Sequence, residues 1–205
     1  MSGTVGTTAS GSLYYYSTGA MYQVACKYTM PSPGGLIKDI ACQFDGYLSS
    51  PSAYLVIWDN SGAVLAHTNA FTLNNKGATD ALDWWKSGSG SVSALNAEPF
   101  VAAGANIWIG IACMGNFILS CQGTSDGAIY GNKPGSVPSS FTGTSSFGSG
   151  VVGDFGSYAD WIEAGCSAWD GVSSFQECTV ESWDGSAWQV CTAESWDGSA
   201  WQYTS

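Results

Sequence analysis

Apolar residues recur at every second position in runs cut by Gly, Pro, Asn and Asp, and helical spacing is nearly absent. The pattern predicts an all-β chain. Tyr22, Val24, Cys26 and Tyr28 alternate with Gln23, Ala25 and Lys27. Beyond the turn Pro31-Ser32-Pro33-Gly34-Gly35, Ile40, Cys42 and Phe44 alternate with Ala41, Gln43 and Asp45. Both runs are expected as half-buried strands. Residues 52–58 and 63–73 flank Asp59-Asn60-Ser61-Gly62, a sequence suited to a type I turn closing on a left-handed glycine, so a hairpin is expected there. A second hairpin is expected where Met114-Gly115-Asn116 separates Ile107, Ile109, Ile111 and Cys113 from Phe117, Leu119 and Cys121. Two half-polar sheets must cover each other's apolar faces, which predicts an antiparallel two-sheet sandwich, jelly-roll-like, over residues 21–163. Residues 1–20 are expected as an N-terminal arm or first strand.

Residues 164–205 follow as a repeat. Trp169-Asp170-Gly171, Trp183-Asp184-Gly185-Ser186-Ala187-Trp188 and Trp196-Asp197-Gly198-Ser199-Ala200-Trp201 recur, and Asp-Gly is a strong two-residue hairpin signal. A small β-meander is therefore expected. With Asp184-Gly185 as the loop, Glu181 falls opposite Trp188 and Cys178 opposite Cys191; with Asp197-Gly198, Glu194 falls opposite Trp201. Cys178 and Cys191 are then a candidate cross-strand disulfide. Alternation gathers Trp183, Trp188, Trp196, Trp201 and Tyr203 on one face, on the order of 1,000 Å² of aromatic surface. A face of that size needs cover, from the sandwich, a symmetry mate or another protein; these five residues are the candidate assembly interface.

Charge narrows the function. The chain has 16 acidic residues against five lysines, no arginine and one histidine, for a formal net charge of −11 over 205 residues. Nucleic-acid binding is excluded, since counterion release needs clustered cations. No apolar run is long enough for a membrane-spanning helix, so membrane insertion is not expected, and the N-terminus shows no basic region followed by an apolar stretch, which predicts synthesis without a secretory signal. With His67 alone, neither a Ser-His-Asp triad nor a multi-histidine metal site can be assembled. His67 shares strand parity with Leu65, Phe71 and Leu73, which predicts a partly buried structural histidine. The seven cysteines form no Cys-x-x-Cys pair, and buried thiols are expected for Cys26, Cys42, Cys113 and Cys121. No catalytic residue, metal or cofactor is expected. Ten tryptophans and ten tyrosines suggest saccharide stacking instead, with Trp84, Trp85, Trp58 and Trp108 as candidates; Trp58 and Trp108 alternate opposite the aliphatic stripes, so they face outward or line a second layer. Trp84 and Trp85, beside a Gly/Ser-rich loop, are the more exposed pair.

Residues 22–30 with Pro33-Gly34-Gly35 and Ile40, the run Tyr54-Leu55-Val56-Ile57-Trp58-Asp59 with 60–65, and residues 99–104 leading into 107–111 resemble β-sandwich structural proteins of tailed bacteriophages, particularly minor tail proteins of phages infecting actinobacteria. The WDGSAW copies look like the hairpins that end such proteins. The resemblance implies a non-enzymatic virion component: a homo-oligomer whose partners are other virion proteins, in the tail, tail tip or head decoration, with host attachment through cell-wall glycan as a further role. The chain departs from the family in its shortness, its lack of arginine and its lack of a collagen-like or coiled-coil stalk, which fits a compact decoration or tail-tip module better than a long fibre. The alternative expectation is a carbohydrate-binding module that recognises cell-surface glycan.

Overall fold

The computed structural model describes residues 2–8, 12–16, 21–76, 81–122, 129–132, 136, 138–141, 145–146 and 154–162, and then 166–169, 175–178, 181–183, 188–190, 194–196 and 201–203. The chain divides into two compact units, Met1–Ile162 and Glu163–Ser205.

The first unit is an antiparallel-rich β-sandwich, with no helix among the described residues. One sheet runs Ser2–Thr7, Ser157–Ile162, Gly34–Tyr47, Phe117–Gln122 and Asp154–Phe155; Ser12–Tyr16, Asn75–Lys76, Trp84–Lys86 and Phe100–Ala102 add to it. The other runs Ser145–Ser146, Ile129–Asn132, Met21–Thr29, Asn106–Met114, Ser52–Asp59 and Val64–His67, with Phe71–Thr72 beside Ser52–Asp59. The period-two stripes meet between the sheets. Val24, Cys26, Leu55, Ile57, Ile107, Ile109 and Ile111 face Ile37, Ile40, Cys42, Phe44, Phe117, Leu119 and Ala159 in one continuous core, each large aliphatic or aromatic side chain contributing about 1.5–3 kcal/mol on burial. Tyr28 of one sheet meets buried Ser157 of the other, hydroxyl to hydroxyl at 3.0 Å.

The hairpin at residues 59–62 forms as its turn chemistry predicts. The Asp59 carboxylate accepts the Ser61 N–H at 2.8 Å, the Ser61 hydroxyl at 2.6 Å and the Ala63 N–H at 2.9 Å, and Gly62 closes the turn at φ 86°. The Ser61 hydroxyl is the first cause that holds the Asp59 carboxyl below its ordinary value. The returning strand carries an irregularity: Val56 pairs with His67 and Ile57 with Ala66, but Trp58 pairs with Val64. This extra residue shifts the parity, so Leu65 packs on the main core while His67 sets its ring edge-on to Tyr54 at 6.3 Å on the outer side. His67 therefore does not share the side of Phe71 and Leu73.

The second expected hairpin is not one. Asn106–Met114 is paired along both edges, by Met21–Thr29 and by Ser52–Asp59, so it has no edge left for the strand that follows. Phe117–Gln122 crosses to the other sheet and pairs with Gly34–Tyr47 and Ser12–Tyr16. Both apolar stripes reach the core by this crossover.

Strands expected to be half-buried are buried on both sides at mid-length. Gln23 and Ala25 are fully buried along with Trp58 and Ala112, because residues 138–141 lie across the outer side of the second sheet. Gln23 holds that segment by accepting the Ser139 N–H at 2.9 Å and donating to the Ser140 carbonyl at 3.2 Å. The Phe141 N–H donates to the Gly62 carbonyl at 2.7 Å, and a Cβ at Gly62 would stand 1.9 Å from the Phe141 oxygen.

In the second unit the backbone forms three separate two-stranded hairpins, Cys166–Trp169 with Phe175–Cys178, Glu181–Trp183 with Trp188–Val190, and Glu194–Trp196 with Trp201–Tyr203. Among the described residues no ladder joins one hairpin to the next, in place of the expected continuous meander. The register also differs. Trp183 pairs with Trp188 and Glu181 with Val190; Trp196 pairs with Trp201 and Glu194 with Tyr203. The Trp-Trp pair closes each ladder around four residues, not two, a register consistent with the preference for aromatic cross-strand pairs.

Two predictions follow from the packing. Gly62→Ala adds a Cβ where both the positive φ and the Phe141 backbone forbid one, and should cost about 2–4 kcal/mol in urea unfolding. Burial raises the Cys42 and Cys113 thiols, Cys113 to about 12, so in the folded protein both should stay silent to a thiol reagent at pH 8 and react once guanidinium unfolds it.

Candidate functional site

The short strand Trp84–Lys86 lies against the middle of Gly34–Tyr47, with Gln43 opposite Trp84, Cys42 opposite Trp85 and Ala41 opposite Lys86. Alternation sends the Trp85 side chain toward the core and Trp84 and Lys86 to the outer face. Trp85 lies 5.1 Å from the Phe71 ring, and its indole N–H donates to the Phe44 carbonyl at 2.7 Å and to Asp45 Oδ1 at 3.2 Å. Trp84 is 38% exposed, one of few large apolar side chains so open.

Beside it on the outer face stands the strand Ser157–Ile162. The Tyr158 ring lies 5.5 Å from Trp84, inclined at 48°. Two positions on, Asp160 accepts the Thr4 hydroxyl at 2.8 Å through Oδ1 and the Lys86 ammonium at 2.8 Å through Oδ2. Asp39 Oδ2 lies 3.7 Å from the same ammonium. The hydrogen bond to Asp160 is the main cause that holds Lys86 above its ordinary pKa. A shallow groove of about 300 Å³ runs past Ser2, Gly3, Thr4, Lys38, Asp39 and Asp160. Tyr158, Asp160, Lys86 and Thr4 come from three strands far apart in sequence; only Trp84 carried a sequence signal, its Gly/Ser-rich neighbourhood.

The other candidates fall elsewhere. Trp58 is completely buried and Trp108 is 8% exposed; each lies against Phe141, at 5.0 and 5.3 Å, and the Trp58 indole N–H donates to the Ser139 carbonyl at 2.8 Å. These two form a second packing layer, with no open ring face for a sugar, because the 138–141 segment covers them. Trp85 is likewise a packing residue. Trp183, Trp188, Trp196, Trp201 and Tyr203 are placed by strand register alone. Cys191 lies outside the described residues, and Cys178 pairs in register with Cys166.

His67 Nδ1 is 2.8 Å from the Thr68 carbonyl and its backbone N–H donates to Asn96, a structural arrangement. Among the described residues no three His, Cys, Asp or Glu side chains converge as a metal site would need. One carboxylate is unusual. Asp45 is fully buried, accepts the Asp83 N–H at 2.7 Å through Oδ2, and so pins the start of the segment that presents Trp84. Burial pushes its pKa up to about 6, with the neighbouring Asp83 charge acting the same way against the hydrogen bonds.

Because this folded-state value lies above the unfolded one, folding takes up a proton between about pH 4 and pH 6, and the group's contribution to stability grows as pH falls through that window. From pH 7 to pH 5 the wild type should gain about 1 kcal/mol more than Asp45→Asn does, read from urea midpoints at the two pH values. No family model, curated protein or solved structure matches the chain.

Proposed function

We propose that this chain is a non-enzymatic structural component of a tailed-phage virion, a compact tail-tip, minor tail or head-decoration module that presents its sandwich and docks through its C-terminal repeat. The observation that carries the reading is the repeat itself: two copies of WDGSAW fold as successive hairpins in which Trp183 stands opposite Trp188 and Trp196 opposite Trp201. A two-stranded hairpin is marginal alone in water. Three in succession, in a compact unit of their own along the chain, suit a segment that gains its stability from a neighbouring copy or another virion protein. The acidic surface supports the reading by keeping free copies soluble before assembly. The sandwich is compatible with it: Asp39 and Asp160 share Lys86, and His67 is tied to the backbone.

Mass spectrometry of purified particles from a phage that encodes this chain should find it at a fixed copy number. Hundreds of copies would assign a head decoration and small multiples a tail-tip part; absence from the particle sinks the reading.

A further inference from the structure

We propose that the outer face of the nine-stranded sheet is a binding site for a neutral pyranoside, stacked on Trp84 and held at its hydroxyls by the Asp160–Lys86–Thr4 cluster. The inference stands apart from the virion reading, since it rests on the sandwich alone.

The aromatic part is a shallow V. The Trp84 ring is laid against backbone: a Cβ at Gly156 would come within 2.9 Å of its Cη2, so glycine there lets the indole sit down on the sheet while the side chain stays 38% exposed. The Tyr158 ring forms the second wall. Opposite Tyr158 in register is Gly6, exposed and without a side chain to screen that ring. The C–H face of a pyranose suits such a surface, apolar, flat and bordered by polar groups.

The polar border also fits a sugar. Asp160, Asp39, Lys86 and Thr4 place carboxylate acceptors, an ammonium donor and a hydroxyl within one cluster, and the groove beside them, about 300 Å³, has the size of a small-ligand site. Charge selects the class of sugar. Lys86 is already shared between two carboxylates, and Lys38 is paired with Glu98. Neither is left to neutralise a phosphate or uronate, and a net charge of −11 repels polyanions. The ligand is therefore uncharged.

The test is calorimetric titration of the full chain with short gluco-, galacto- and N-acetylglucosamine oligosaccharides, with polygalacturonate as the anionic probe. At least one neutral series should bind saturably. Trp84→Ala should weaken that binding about tenfold and Tyr158→Ala about threefold, with Trp84→Phe intermediate and Met114→Ala, at an exposed apolar position on the other sheet, unchanged. In the wild type, the Trp84 indole N–H resonance should shift on titration while that of Trp58 stays still, a readout that needs no variant to fold. The proposal is overturned by absence of saturable binding across the neutral series, by preference for polygalacturonate, by equal affinity of Trp84→Ala and wild type, or by a ligand-induced shift at Trp58 without one at Trp84. Particle incorporation is unaffected by any of these outcomes, so the two proposals fail separately.

Discussion

The sandwich hangs on one strand. Gly34–Tyr47 hydrogen-bonds to Ser157–Ile162, Phe100–Ala102, Trp84–Lys86, Phe117–Gln122 and, in parallel, Asn75–Lys76, while its inner side chains Ile37, Ile40, Cys42 and Phe44 are completely buried against the opposite sheet. The same alternation that drives Ile40, Cys42 and Phe44 inward turns Asp39 and Gln43 outward, beside Lys86 and Trp84. Packing and the candidate site are thus two faces of a single run of residues. The irregularity in its pairing with Ser157–Ile162 belongs to the same constraint: Asp160 stands level with Asp39 and Trp161 with Ile37, so Lys38 is skipped and Ile37 turns inward with the others.

What the amino-acid order made legible was local. The turn at Asp59 forms from contacts within five residues, and its chemistry is written in the type and spacing of those residues alone. Strand existence was equally plain, because period two survives whatever the partner. Pairing was not. Whether Phe117–Gln122 turns back on Asn106–Met114 depends on whether two other strands have already taken both its edges, which no local pattern records. The aromatic residues divide along the same line. Trp58 and Trp108 sit at outward positions by parity, and only the 138–141 segment, later in the chain, decides that they are covered; Trp84 and Tyr158 are brought together by two different pairings to Gly34–Tyr47. In the repeat, the register expected from a two-residue Asp-Gly loop is not the one formed: Trp183 pairs with Trp188 and Trp196 with Trp201.

Scarcity of cations gives each of the four described lysines a definite task. Lys38 pairs with Glu98, Lys76 with Asp83, Lys86 with Asp39 and Asp160, and Lys27 lies over the Trp108 ring at 5.1 Å. The described lysines are thus engaged within the molecule, so the outward field is that of the surplus carboxylates. Such a surface discourages self-adhesion through charge and leaves association to apolar or hydrogen-bonding patches.

The strap of residues 138–141 covers the middle of one sheet's outer side with Phe141 and its hydrogen bonds to Gly62, Gln23 and Trp58, while the outer side of the other leaves Trp84 38% exposed. A molecule that needs an open indole face therefore finds one on the Trp84 side of the sandwich and none over Trp58 and Trp108, whichever way the sandwich is turned.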